Sequence, residues 1–321
     1  MKLQKTAWIA FGVILVTTFI VLKLSEDRIH DWVQSEINQQ LAPEGILFSA
    51  AQSTISIGLS GVSYTMKQIT LRLPASEDLW KPSAATVRRI DQITVTPSLF
   101  QLLLGHKSGK VSIQNLGGDV VAYFSTKPLH LQLDAHQMDI RSLGVVRVLT
   151  GVDGGALLSG HAELEGDTSV PSTLNGRAQL QFSKITVESQ SFMGFFIPPL
   201  NVSSGTTDFS IDRGKLTIQT LRLGRASNAH DDIHALITST GENQVGAPWS
   251  QSVVHLRASF GFSTSVLKAI PLMDPLLSAG KQIDGSYAYE LSGSLGAPVV
   301  VPLTPSLPLE KIGKNSQKNE I

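Results

Sequence analysis

The chain has no cysteine. That removes disulfide frameworks, thiolate metal sites and cysteine nucleophiles together. Charge is scarce: only 16% of residues are Asp, Glu, Lys or Arg, against about 25% in soluble domains. The two signs balance at 26 each, which argues against nucleic acid, whose binding rests on Lys and Arg neutralising phosphates. Aromatics are also few, at 6%. The exposed surface is therefore expected to be Ser, Thr, Gln and Gly rather than a salt-bridged shell. With 321 residues the chain is long enough for a sizeable core or one extended architecture.

One long apolar run is present. Thr6 to Leu22 is uncharged between Lys5 and Lys23 and carries Trp8, Phe11, Ile14, Phe19 and Leu22. Its length lies at the short end of what a membrane helix needs, and Lys23 can snorkel to let Leu24 extend it. A cleaved signal peptide would want small residues before the cut, and Val21-Leu22-Lys23-Leu24 offers none. The run therefore reads as an uncleaved anchor spanning 1–24, with Lys2 and Lys5 holding the N-terminus in the cytoplasm and the body translocated.

Next comes one helical stretch, over 25–42. Ser25-Glu26-Asp27 suits a helix N-terminus. Ile29, Trp32, Val33, Ile37 and Leu41 recur at spacings of three and four, until Pro43 and Gly45 stop the pattern. The expectation is an amphipathic helix covering the edge of a core; a helix lying on a membrane surface is the alternative.

Beyond Ile46 the period changes to two. Ile55-Ser56-Ile57, Val111-Ser112-Ile113, Leu129 to Asp134, Ala178 to Phe182, Phe209 to Asp212, Leu216 to Gln219 and Tyr287 to Leu291 alternate apolar with polar residues. Such alternation gives a half-buried antiparallel sheet. Asp212-Arg213-Gly214-Lys215 predicts a hairpin, and Asn175-Gly176 the start of another strand. Further helices are expected over Pro97–Leu104, Ile140–Leu149 and Thr264–Ser278, the last broken by Pro271 and Pro275. A helix, a Gly-rich turn and a strand precede both Gly166 and Gly296, which reads as a loose internal duplication within a body of 43–300. Pro298, Pro302, Pro305 and Pro308 predict an irregular tail over 301–321. So few helices cannot cover so much sheet, which leaves a barrel, a sandwich, or a trough filled by lipid or protein. The apolar positions that would line a trough include Leu131, Leu133, Phe182, Phe209, Ile211, Leu216, Ile218, Leu256 and Phe260.

Catalytic patterns are weak. His230-Asp231-Asp232-Ile233-His234 is the densest polar cluster, but no Glu or Cys stands at ligand spacing, so an exposed turn is expected rather than a metal site. Ser265-Val266-Leu267-Lys268 matches S-x-x-K without its companion motifs. His161 and Glu163 are expected as solvent-facing partners on one strand face. The reading is a non-enzymatic protein without catalytic residues, metal or cofactor.

The opening of the chain resembles the AsmA-like proteins. The resemblance rests on the apolar run, the amphipathic helix, Leu59-Ser60-Gly61-Val62 leading into Ile69-Thr70-Leu71-Arg72-Leu73, and Ile90 to Thr96 running into Leu99–Leu104 and Gly109 to Ile113. Within that family, Gly214-Lys215-Leu216-Thr217-Ile218 and Gly293-Ser294-Leu295-Gly296-Ala297-Pro298 are similar to the type II secretion system protein N (GspN) branch. The resemblance spans roughly residues 1 to 300, the whole chain short of its proline-rich tail. It implies a mainly β fold with a long, curved, taco-shaped antiparallel β-groove, anchored in the bacterial inner membrane with its bulk periplasmic. It also implies an accessory role in protein export across the outer membrane, with secretion-system components as partners. The alternative it implies is lipid binding or lipid transfer, with phospholipid in the apolar groove.

Overall fold

Helix α1 (Glu26–Leu41) runs as long as its apolar stripe. It ends in a 3-10 turn, Ala42–Glu44, closed by Gly45 at φ 67, a left-handed position that costs glycine little. Its inward face is Val33, Ile37 and Leu41, packed on the buried cluster of Phe48, Ala50, Met66, Ile69 and Ile90. Trp32 does not join that stripe; it is 66% exposed, because it sits about 100° around the helix from Val33. The structure, a computed structural model, describes residues 26–58, 61–74, 86–99, 101, 104–126, 128–143, 146, 153–192, 195–228 and 230–304. The expected anchor over Thr6–Leu22 lies outside the described residues. Among those described, no helix is long and apolar enough to cross a membrane.

Among the described residues, most of what remains is one antiparallel sheet of 15 strands. In chain order its members are β1 (Leu47–Gly58), β2 (Gly61–Leu73), β3 (Thr86–Pro97), β4 (Ser108–Asn115), β5 (Gly118–Thr126), β6 (Leu129–Asp139), β7 (Gly154–Asp167) and β8 (Val170–Val187). A small separate hairpin follows, β9 (Gln190–Phe192) with β10 (Phe195–Ile197). The sheet resumes with β11 (Leu200–Asp212), β12 (Lys215–Leu223), β13 (Ile233–Ser239), β14 (Asn243–Gln244), β15 (Val253–Phe262), β16 (Tyr287–Ser294) and β17 (Val299–Pro302). Apart from β14, which pairs with β12 and β15, each strand pairs with the one before it along the sheet, and the path is open, with β1 and β17 at its two ends. Among the described residues it is therefore neither a closed barrel nor a sandwich of two sheets. Every alternating stretch read from the sequence lies within one of these strands.

Three local expectations are corrected. Asn175 and Gly176 lie inside β8 rather than at its start; the β7–β8 turn falls between Asp167 and Val170. Gly176 serves close packing, since a Cβ there would stand 2.5 Å from the Glu163 carbonyl oxygen. Pro298 and Pro302 do not abolish structure either. Val299–Pro302 forms the edge strand β17, where proline is tolerated because its missing N–H faces away from the ladder. Residues 305–321 lie outside the described residues. Finally, Thr264–Ser278 becomes two short helices, α2 (Thr264–Ala269) and α3 (Met273–Leu277), separated around Pro271. Pro275 is accommodated near the start of α3, where a helix N–H has no internal partner. Half of the expected helix over Ile140–Leu149 falls outside the described residues, and 140–143 form a turn rather than a helix.

Two buried pairs break the alternation. Met66 and Ile69 lie three apart on β2, yet both enter the same core at 3% and 0% exposure. Between them Gln68 takes φ 52, and one left-handed residue resets which face the next side chain meets. Ala135 and Met138 on β6, at 1% and 0%, repeat the device: Gln137 has φ 46 and the register shifts there.

Candidate functional site

Residues directly opposite in an antiparallel pair share a face, so the register sorts the whole sheet. One row runs from β1 to β12 as Ile55, Tyr64, Val95, Val111, Ala122, Leu133, Ala162, Ala178, Phe209 and Ile218. None of its members is charged. A second row beside it reads Phe124, Leu131, Leu164, Gly176, Ile211 and Leu216. A third, on the other flank, reads Phe182, Gly205, Leu223, Ala235, Phe260 and Tyr287. Leu256 stands two alternations from Phe260 on β15 and opposite Leu291. All nine positions picked from the sequence, Leu131, Leu133, Phe182, Phe209, Ile211, Leu216, Ile218, Leu256 and Phe260, therefore occupy one face.

Parts of that face are covered. Helix α1 lies over β1 to β3. Leu143 packs against Met138, Val120 and Ala135 as well as against the α1 cluster. Leu174, Ile211 and Val245 form a small core with Leu164 and Leu216. At the far end Phe260 stacks on Tyr287 and Tyr289, with ring centroids 5.8 Å and 6.0 Å away. The Tyr289 hydroxyl donates to the Leu277 carbonyl at 3.0 Å and the Tyr287 hydroxyl to Asp274 at 2.5 Å, tying α3 to the sheet. Burial, with the Asp274 carboxylate beside it, pushes the Tyr287 phenol up to about 12. Between these covers the face is open: Leu131, in mid-sheet, is 39% exposed.

The opposite face is polar. The row facing away from the apolar one reads Thr54, Thr65, Thr94, Ser112, Val121, Asp134, His161, Gln179, Asp208 and Thr220. His161 Nδ1 lies 2.7 Å from Asp134 Oδ1, and its Nε2 lies 3.8 Å from Glu163. The hydrogen bond to the Asp134 carboxylate raises the His161 imidazole above its ordinary value, and the same bond lowers Asp134. The His161–Glu163 pairing expected from the sequence is present. Asp134 is its stronger partner, and it was hidden because the pairing crosses strands.

The His230–His234 cluster resolves differently from an exposed turn. Asp231 is 5% exposed and accepts from the Ser203 N–H at 2.5 Å, the Ser203 hydroxyl at 3.0 Å and the Arg225 N–H at 2.8 Å. Burial pushes its carboxyl up, and these bonds more than offset that, leaving it below its ordinary value. Asp232 accepts from the Asn201 N–H and the Ser263 hydroxyl. The two aspartates thus join the 224–232 connection to β11 and to the start of α2. Among the described residues no group of three His, Asp or Glu could hold a metal ion. Ser265 is exposed on the first turn of α2, 3.4 Å from Asp232. Nearby, the polar side of β12, β13 and β15 carries a depression of about 470 Å³ lined by Arg222, Arg225, His234, Ser259, Asp284 and Ser286, among others. Asp284 is already engaged there by the Ser286 N–H and hydroxyl.

Chemically, the polar face can hold protons and hydrogen bonds, and the apolar face can take water-excluded groups along the direction that crosses the strands. Comparison with known proteins returns no match to a family model, a curated protein or a solved structure, so the AsmA-like resemblance stands on its residues alone.

Proposed function

We propose that this chain is a non-enzymatic binding protein whose sheet curls, apolar face inward, into a taco-shaped β-groove that receives the acyl chains of phospholipid beside a membrane. The observation that carries this reading is the uninterrupted apolar row from Ile55 to Ile218 with exposed Leu131 next to it. An apolar row with no charged residue along so many strands stays in water only at a cost of about 25 cal/mol per Å², so an apolar occupant is favoured. Each methylene withdrawn from water would contribute on the order of 0.8 kcal/mol. The lack of sequence-specific polar contacts along the row suits a ligand class rather than a single molecule. The run Thr6–Leu22 serves in this reading as the tether that keeps the groove next to its source of lipid.

Mass spectrometry of the purified full chain under native conditions tests this. Phospholipid should co-purify with it, and the paired change Leu133→Glu with Phe209→Glu should abolish co-purification while the β signature in circular dichroism persists. A folded, lipid-free wild-type chain would refute the reading. The accessory role in type II secretion rests on the resemblance of Gly214–Ile218 and Gly293–Pro298. Deleting the gene separates the two readings: impaired export of secreted proteins with unchanged membrane lipid favours the secretion role.

A further inference from the structure

The two ends of an open sheet expose rows of unpaired backbone groups, and this chain treats its ends unequally. The β17 end is blunted: the strand has four residues, is preceded by Pro298 and ends in Pro302, and neither proline can donate to an added strand. β1 at the other end has 12 residues, with no proline and no charge in Leu47-Phe48-Ser49-Ala50-Ala51-Gln52-Ser53-Thr54-Ile55-Ser56-Ile57-Gly58. Its first half is protected by α1. The Phe48 N–H donates to Asn38 Oδ1 at 2.7 Å, Asn38 Nδ2 donates to the Phe48 carbonyl at 2.9 Å, and the Ala50 N–H donates to Gln34 Oε1 at 3.3 Å. Two side-chain amides thus stand where a neighbouring strand would. From Gln52 to Gly58 no such cover exists among the described residues, and Ile57 is 54% exposed.

We propose that Gln52–Gly58 is a strand-addition surface whose partner is the same segment of a second copy of this chain. Self-pairing fits for three reasons. The segment carries no charge, so an identical strand approaches without like-charge repulsion. The protected half sets its length, and antiparallel pairing centred on Ile55 matches the free stretch to itself: Gln52 opposite Gly58, Ser53 opposite Ile57, Thr54 opposite Ser56. That alignment carries each α1 past the end of its partner's β1. Ile55 and Ile57 then lie on the apolar side in both copies. A two-fold that relates antiparallel edge strands stands perpendicular to the sheet, so like faces stay together. The apolar row beginning at Ile55 continues into the second copy, and the joined sheet has only the proline-flanked β17 edges left. The pairing closes at two copies. It stands on β1 alone and does not depend on what the apolar face binds.

Because the chain has no cysteine, Ile55→Cys gives a single thiol at the two-fold. In the full chain purified in detergent, mild oxidation should convert most of this variant to a covalent dimer, with Val300→Cys on β17 remaining monomeric. Adding Thr54→Lys and Ser56→Lys brings like charges face to face and should reduce crosslinking at least tenfold, with the melting temperature unchanged. Light scattering of the unmodified chain should give a dimer mass after correction for detergent. The proposal is overturned by a monomer at tens of micromolar, by equal crosslinking at positions 55 and 300, by crosslinking that the lysines leave intact, or by an open ladder of higher oligomers.

Discussion

Asn38 holds the N-terminal helix to the sheet by making both hydrogen bonds a strand would make to Phe48, at 2.7 Å and 2.9 Å. Asn38→Ala removes the pair without touching the apolar contacts of Val33, Ile37 and Leu41. A hydrogen bond of this kind contributes about 0.5–1.5 kcal/mol net, so the two together are worth about 1–3 kcal/mol. A factor of ten per 1.4 kcal/mol turns this into roughly 5- to 150-fold faster exchange of the Phe48 amide hydrogen, if opening of α1 limits exchange. Amide exchange read by mass spectrometry on peptides spanning α1 and β1 measures it, with β15 and β16 as an internal reference that should not change. Asn38→Asp keeps the acceptor for the Phe48 N–H and loses the donor to its carbonyl, so it should fall between the two. Unchanged Phe48 protection in Asn38→Ala would refute the idea that these amides, rather than the apolar stripe, secure the strand edge. Equal acceleration across the whole sheet would refute it too, because α1 would then unfold only with everything else.

Other consequences are as direct. Asp231→Ala leaves the Ser203 and Arg225 N–H groups without their acceptor in a 5% exposed site; the expected loss is on the order of 3 kcal/mol, read as a lower urea midpoint. Gly214 at φ 78 follows Arg213 at φ 47 in the β11–β12 hairpin, and a Cβ on it would stand 2.5 Å from the Pro171 carbonyl oxygen. Gly214→Ala should therefore cost about 1–2 kcal/mol in the same assay. The His161 ring should titrate above 6.5 by NMR, and Asp134→Asn should return it toward that value. The sign follows: a raised imidazole stabilises the fold fully below 6.5, and that contribution fades as pH rises through the folded midpoint. The lowered Asp134 carboxylate contributes above its ordinary 3.8 and fades as pH falls through its folded midpoint. A His161 midpoint at or below 6.5 would contradict the contact.

What could be read ahead of the structure was whatever a fixed period encodes. Alternation located strands such as β6, β8, β12 and β16, Pro43 and Gly45 ended α1, and Arg213-Gly214 made its turn, because each depends on neighbours along the chain. The nine apolar positions share a face because each sits in a run of period two and the hairpins keep those runs in register. Failures came where one residue overrides the period or where partners are distant. Gln68 and Gln137 adopt left-handed backbone that glutamine rarely takes, so the resets behind Met66–Ile69 and Ala135–Met138 carry no sequence mark. Asp231 looked solvent-facing because the Ser203 donors that bury it lie on another strand. β17 was missed because prolines that forbid a central strand are harmless on an edge.

The order of the strands bears on how such a sheet is made. Apart from β14, which pairs with β12 and β15, each strand's partner in the sheet is its predecessor or successor, so no long stretch of chain has to be held waiting for a distant mate. Loop-closure entropy is small at each step, and a topology of this kind, in which neighbours supply the contacts, can nucleate at one hairpin and grow outward. A chain emerging N-terminus first could lay down strand upon strand in the order of synthesis. Unravelling would proceed from the β17 end inward, so that the frayed portion would be the last-added strands while the α1-clasped end stays formed.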